Sequence, residues 1–209
     1  MEYIQNKYTS LCDASSDVST DIFEHLPTLY NYASKCESII ELGVRGCVSS
    51  WAFVYGLLNN NSITKKILLN DITSCDINEL LIATKNLDID VKYQWISDLD
   101  LVVTENVDMT FIDTWHVYPQ LKRELDKFSV ITNKYIIMHD TTIDEIVGET
   151  IRNKWNAVEQ SQSTGFTVED INTGLGKAID EFLIANPQWK LLEKYTNNNG
   201  LTVLERVNV

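Results

Sequence analysis

The sequence predicts an α/β protein: a mostly parallel sheet with helices on both faces, finished by an antiparallel C-terminal hairpin. Two observations carry this. Short apolar runs alternate with longer amphipathic patterns along most of the chain, the rhythm of strand–helix–strand crossovers. The last two strand-like runs flank Thr196-Asn197-Asn198-Asn199-Gly200, a link dense in residues that accept left-handed backbone, so that pair reads as a hairpin. With 209 residues, 44% of them hydrophobic and 10% aromatic, the chain can bury a core, and one domain spanning 1–209 is the simplest division.

An N-terminal helical segment occupies 1–36, with Leu26, Leu29, Tyr30 and Ala33 on one stripe and Pro27 tolerable in the first turn. The first strand is Ser38–Leu42, followed by a helix over 51–58 that Ser49 or Ser50 can cap. Lys66–Asp71 is the second strand, and Asp76 with Glu79 has capping-box spacing before Leu80, Leu81 and Leu87. Strands at 90–96, 109–113 and 135–139 come next, each short, β-branched or aromatic and closed by a polar residue. Between the last two, Val117, Leu121, Leu125 and Phe128 form the apolar stripe of a charged helix. The segment 149–176 fits the alternation poorly. It holds Trp155, a polar run from Glu159 to Thr164 and three glycines, and reads as a lid, a binding loop or disorder. A helix through Leu175, Ala178, Ile179, Phe182 and Leu183 then stops at Asn186-Pro187, before strands Trp189–Tyr195 and Leu201–Arg206.

Charge and cysteine usage narrow the partners. Lys and Arg number 17 against 30 Asp and Glu, a net charge of −13, so the basic stripe that nucleic acid or an anionic membrane needs is missing. The N-terminus shows no basic region leading into an apolar one, and no run of about 18 apolar residues occurs. Cys12, Cys36, Cys47 and Cys75 form no CxxC pair and read as reduced thiols packed like small hydrophobes, with a cytoplasmic location expected.

In an open parallel sheet, ligands bind beyond the carboxyl ends of the strands. There the first strand gives Glu41-Leu42-Gly43-Val44-Arg45-Gly46-Cys47, two glycines that let backbone approach a ligand, ahead of a helix N-terminus with free N–H groups. This GxxG spacing, preceded by an acid, is not the GxGxxG dinucleotide fingerprint. Asp71 ends the second strand, placed to accept hydrogen bonds from ribose hydroxyls, and Ser97-Asp98 follow the third. Each has a bland alternative as a turn or cap. An acid–glycine turn, an acid and another acid at three successive tips argue jointly for a nucleoside cleft.

ELGVRG, the Asp71 tip, FIDTWHVY, IIMHDTT and the terminal hairpin resemble a class I S-adenosylmethionine-dependent methyltransferase, near the cephalosporin-hydroxylase-like and macrolide-sugar O-methyltransferases. The resemblance implies a Rossmann-like seven-stranded sheet with its last strand antiparallel. It implies that Glu41, Gly43 and Gly46 lie against the methionine moiety, that Asp71 holds the ribose, and that Ser97 and Asp98 flank the adenine. It also departs at one point: related sequences usually carry a glycine four residues after the first motif glycine, where this chain has Cys47, with Gly46 beside it.

The resemblance makes the fourth and fifth strands neighbours, and strands lie ~4.8 Å apart. Asp113 ends one and His139-Asp140 the other, so both carboxylates can reach one divalent cation. Mg²⁺ takes one or two carboxylates and fills its octahedron with water and substrate. A chelated diol would then have a hydroxyl acidified beside the sulfonium methyl. Relatives that bind Mg²⁺ commonly have an acid where His139 stands, and imidazole suits softer ions. Three readings stay open: Mg²⁺ on Asp113 and Asp140, a softer ion on all three, or no metal. His116, three residues beyond Asp113, is where the macrolide-sugar enzymes place a general base, and an imidazole of ordinary pKa ~6.5 suits that work. An orienting or structural role is the alternative. Trp115, Tyr118 and Trp155 are candidate walls of an acceptor pocket.

The expected activity is O-methyl transfer from S-adenosylmethionine to a small hydroxylated acceptor such as a sugar or sugar nucleotide, with divalent-metal assistance. The alternatives are a non-catalytic binding protein of the same fold and a nicotinamide-dependent oxidoreductase. Family likeness adds the expectation of a homo-oligomer.

Overall fold

The computed structural model describes residues 1–13 and 21–207. In chain order its elements are α1 (Glu2–Cys12), a 3-10 turn (Phe23–His25), α2 (Leu26–Ala33), β1 (Ser38–Leu42), α3 (Val48–Leu58), β2 (Lys66–Asp71), α4 (Asn78–Thr84) and β3 (Asp90–Trp95). They continue with β4 (Val107–Ile112), α5 (Tyr118–Phe128), β5 (Thr132–His139), α6 (Glu149–Arg152), α7 (Ala157–Thr164), α8 (Val168–Asn172), α9 (Leu175–Ala185), β6 (Trp189–Tyr195) and β7 (Leu201–Arg206). The strands form one seven-stranded sheet in the order β3-β2-β1-β4-β5-β7-β6. All neighbours are parallel except β7, which runs antiparallel to both β5 and β6. The architecture is the α/β Rossmann-like sheet with an antiparallel C-terminal hairpin. No helix among the described residues is long and apolar enough to cross a membrane.

Strand alternation divides the core. Ile39, Ile67, Met109, Phe111 and Ile137 face the layer of α1 to α4, where Leu26, Leu29, Phe53 and Leu57 are buried. Ile40, Leu42, Ile112, Ile136 and Met138 face α5 and α9, against Leu121, Leu125, Phe128, Ala178 and Phe182. Each fully buried Leu, Ile or Phe contributes about 1.5–3 kcal/mol relative to an exposed one. That two-sided burial fixes where the strand tips lie.

Boundaries differ from the periodicity in instructive ways. β4 and β5 begin at Val107 and Thr132, earlier than their apolar runs, because Thr132 is a buried strand residue whose hydroxyl pairs with that of Thr110 at 2.6 Å. Ser49 and Ser50 lie inside the first turn of α3 rather than capping it; the cap position is Cys47. Asp76 accepts the Asn78 N–H, but Ile77 is the residue before α4, and Leu87 lies beyond its end. The 149–176 segment folds into three short helices. Asn156 accepts the Val158 and Glu159 N–H groups at one start, Thr167 accepts that of Asp170 at another, and Gly165 ends α7 at φ 76°. Val117, Phe166 and Ile171 pin these helices near the tip of β4.

The turn leaving β1 shows which glycine is required. Gly43 has φ +89°, and a Cβ there would lie 1.9 Å from the Asp113 carbonyl oxygen, because Asp113 N–H is bonded to Leu42 O at 2.8 Å. A Cβ on Gly46 meets nothing within 4 Å. Gly43→Ala is therefore expected to destabilise by about 2 kcal/mol or more through strain and overpacking, and Gly46→Ala by about 0.5 kcal/mol or less, as read by urea unfolding.

Beneath the same turn, Glu41 is fully buried on the α3 side of the sheet. Its Oε1 accepts the Ser49 hydroxyl, and its Oε2 has no hydrogen-bond partner among the described residues. Burial pushes its pKa from 4.5 up to about 8. Between those values the folded chain binds a proton that the unfolded chain does not. Stability is thus complete below pH 4.5 and is lost as pH rises towards 8, by up to about 1.4 kcal/mol per pH unit. Glu41→Gln is expected to flatten this decline in unfolding free energy measured from pH 5 to 8.

Candidate functional site

The carboxyl ends of β1 to β5 open on one cavity of about 860 Å³. Gly43, Gly46, Asp71, Ser97, Asp98, Asp113, His116 and Asp140 all line it; Glu41 and His139 do not. A groove of about 830 Å³ lies across the opposite ends of the strands, but its walls, such as Lys65, Lys66, Asp88 and Asp90, hold none of these tip residues. The tip cavity carries Asp21, Asp71, Asp98, Asp100, Asp113, Asp140 and Glu149 against two arginines, Arg45 and Arg123. Walls of that sign raise the local concentration of cations.

Asp71 organises the glycine turn. Its Oδ2 accepts the N–H groups of Val44 at 2.9 Å and Arg45 at 3.0 Å, and its Oδ1 accepts the N–H of Thr73 at 2.8 Å and the Thr73 hydroxyl at 2.7 Å. Burial opposes the charge, yet these four donors hold the carboxyl below its ordinary pKa. The turn they stabilise is not relaxed. Arg45 has φ 42° and Cys47 φ 60°, a left-handed conformation that costs a side-chain-bearing residue about 1–2 kcal/mol. Glycine adopts such a conformation without that cost, and this chain has Cys47 there instead. Gly46 does not take over that conformation, since the left-handed residue is Cys47 itself.

At the adenine-side tip expected from the sequence, Asp98 is buried and accepts the Gln120 amide at 3.2 Å on both oxygens. That amide also donates to Glu124, which accepts the Thr114 hydroxyl as well. Glu124 is fully enclosed, and burial with Asp98 alongside holds its pKa well above 4.5. Its protonated carboxyl avoids a second buried charge beside Asp98.

The densest cluster lies at β4 and β5. His116 Nε2 is 3.1 Å from Asp113 Oδ1, while its Nδ1 lies 3.0 Å from Asp140 Oδ2 and 3.3 Å from Asp144 Oδ2, aligned with neither for a hydrogen bond. Burial works against charge on this imidazole, but Asp113, Asp140 and Asp144 outweigh it and hold its pKa well above 6.5. In return, despite burial, His116 and His139 keep Asp113 far below the usual carboxylate range. Asp144 is fully buried and also takes Arg152 in a two-point grip, 2.7 Å on each oxygen.

His139 sits behind this group, 1% exposed, and its Nε2 lies 3.1 Å from the Asn198 carbonyl oxygen. A donor there leaves Nδ1 facing Asp113 Oδ1 at 3.4 Å and Asp140 Oδ1 at 3.6 Å. Two acceptors so placed need a proton or a cation between them. His25 packs edge-on to His139, with ring centroids 5.7 Å apart, and reaches the carbonyls of Asn197 and Asn198 from its own Nε2. Asp140 has φ +56°, a strained conformation that turns its side chain into the cluster, and its buried Oδ1 has no hydrogen-bond partner among the described residues.

Two overlapping triads share Asp140: Asp113–His139–Asp140 and His116–Asp140–Asp144, each with ligand atoms within 4.8 Å of one another. Mg²⁺ ligands at about 2.1 Å stand about 3 Å apart at right angles, close to the spacings around His116. Unpartnered buried atoms, two or more carboxylates and an imidazole held by a carbonyl suit a divalent cation.

Sequence reasoning missed Asp144, Arg152, Glu149, Gln120, Glu124 and Thr73. A buried acid four residues after Asp140 carries no motif, and Arg152 lies in the segment that broke the alternation. Trp115 and Trp155 line the cavity, but Tyr118 does not: its ring packs in the α5–α9 core and its hydroxyl donates to Glu181 at 2.8 Å.

No protein-family model matches the sequence, and no curated protein matches it. Solved structures do match over nearly the whole chain. The O-methyltransferase TomG from Streptomyces achromogenes, in complex with S-adenosylmethionine, is 11% identical with a TM-score of 0.59, covering 100% of this chain and 91% of its own. The N-methyltransferase NodS from Bradyrhizobium japonicum is 10% identical with a TM-score of 0.58, over 92% of this chain and all of its own. An O-methyltransferase from Bacillus cereus, in complex with S-adenosylhomocysteine, is 15% identical at 0.54, over 99% and 90%. The chain shares the fold of the class I S-adenosylmethionine-dependent methyltransferases.

Proposed function

We propose that the protein is an S-adenosylmethionine-dependent O-methyltransferase acting on a small hydroxylated acceptor, such as a sugar or sugar nucleotide. The observation that carries the reading is the meeting of the Gly43 turn, Asp71, Asp98 and the Asp113–His116 pair around one acidic cavity. A sulfonium cation gains from those carboxylates, and an adenosyl group matches a cleft with acids at successive tips.

In this reading Gly43 lets the backbone pass close to the methionine moiety, Asp71 meets the ribose, and Ser97 with Asp98 borders the adenine. Glu41 acts from beneath the turn rather than by touching the ligand. Trp155, half exposed at the rim, and Trp115 offer apolar faces to an acceptor ring. The sulfonium is already a good leaving system, so alignment of acceptor oxygen and methyl carbon supplies most of the acceleration, up to about 7–11 kcal/mol. The remaining task is to remove one proton; His116 beside Asp113 lies where a base is needed but can take it only as the neutral imidazole, which Asp113, Asp140 and Asp144 oppose. Asp113, His139 and Asp140 are the residues that would hold a divalent cation, Mg²⁺ or a softer ion. When bound, the cation would offset the carboxylates that raise the His116 pKa and would acidify a coordinated hydroxyl. The grip of Arg152 and His116 on the acid cluster favours one second reading, a binding protein that takes the nucleoside and transfers nothing.

Two measurements test this. By calorimetry, S-adenosylhomocysteine is expected to bind the wild type, and Asp71→Ala to bind about tenfold more weakly or worse; no binding at millimolar ligand overturns the reading. With radiolabelled S-adenosylmethionine and a panel of sugars and catechols with divalent ions, His116→Ala and Asp113→Asn are expected to keep that affinity but lose about a hundredfold or more in transfer. Wild-type binding with no transfer to any acceptor selects the second reading.

A further inference from the structure

Asp71 is offered to a ribose by its position, yet it has no acceptor capacity to spare. A carboxylate has about four lone-pair directions, and Val44 N–H, Arg45 N–H, Thr73 N–H and the Thr73 hydroxyl take four. A ribose hydroxyl can donate to this carboxylate only where one of those donors leaves.

The four are not equally removable. The Val44 and Arg45 amides belong to the turn that holds Arg45 and Cys47 in left-handed backbone, and freeing them would release the conformation on which the Gly43 approach depends. The Thr73 amide is fixed by the chain two residues from Asp71. The Thr73 hydroxyl turns about a single bond, and Thr73 is exposed and lines the cavity, so its hydroxyl can pass to water with little loss. We infer that Thr73 sets nucleoside affinity in this protein: its hydroxyl occupies the Asp71 Oδ1 position that a ribose hydroxyl must take, and binding proceeds by exchanging one for the other.

This rests on the adenosyl-binding reading above and deepens it. It makes Thr73 a competitor built into the cleft. Wherever the hydroxyl is retained, part of the gain from the ribose–Asp71 bond is offset by the bond it replaces. It also makes the cleft accept one new donor at Asp71, not two, so a single hydroxyl of the vicinal pair carries the contact.

The experiment is calorimetric titration of S-adenosylhomocysteine into the wild type, Thr73→Ala, Thr73→Val and Thr73→Ser, with melting temperatures taken without ligand. Ala and Val are expected to bind about fivefold more tightly than the wild type, although the unliganded proteins melt slightly lower for want of one hydrogen bond. Ser, which keeps the hydroxyl, is expected to bind like the wild type. Equal or weaker binding by both Ala and Val, with cooperative melting retained, overturns the role of Thr73 and leaves the cofactor reading standing. A well-folded wild type that takes up no S-adenosylhomocysteine overturns the cofactor reading itself.

Discussion

The protein must keep several carboxylates ionised in a space with few cations to match them, and the structure around the strand tips answers that constraint. Each acid finds a different remedy. Asp71 surrounds itself with N–H and O–H donors. Asp144 takes Arg152, Asp113 takes two imidazoles, and Glu41 and Glu124 hold their protons instead. Desolvating a carboxylate is costly, and a particular neighbour or a retained proton offsets that cost at each of these acids.

This distribution explains the asymmetry of the cavity. At the β1–β2 end three of the four donors to Asp71 are backbone amides, which do not dissociate and hold the turn in one shape. At the β4–β5 end the compensating groups include, besides the Arg152 guanidinium on Asp144, two imidazoles, which gain and lose protons and bind metals. The first half is suited to hold a ligand of constant form. The second is suited to chemistry in which charge changes.

Much of this was legible in the sequence. Alternation of apolar runs located every strand: burial on both faces gives the central strands β-branched and aromatic clusters bounded by polar tips, while the edge strands β3 and β6 are largely exposed. The hairpin was legible from Asn197 to Gly200, where Asn198, Asn199 and Gly200 do take positive φ. The tip acids followed from the rule that parallel sheets present ligand sites at their carboxyl edge. What periodicity could not show was the partner of each acid. Arg152 and Thr73 are ordinary polar residues until the fold sets them against Asp144 and Asp71. The three helices in 149–176 are each too short for an amphipathic stripe to declare them, and the starts of the second and third rest on the Asn156 and Thr167 caps. The environment of His116 was equally hidden: an unperturbed imidazole was a fair expectation for a loop histidine, and three converging carboxylates make it something else.

The back wall of the His139 pocket comes from opposite parts of the chain. His25 lies ahead of the first strand, whereas the Asn198 carbonyl that it and His139 share, and the Asn197 carbonyl that His25 also reaches, belong to the turn between β6 and β7. Those pieces stand 172 and 173 residues apart in sequence. Without that hairpin, Asp113, Asp140 and His25 still flank the His139 imidazole, but its Nε2 loses the Asn198 carbonyl. The acid cluster is thus completed only when the turn between β6 and β7 has packed against the end of β5.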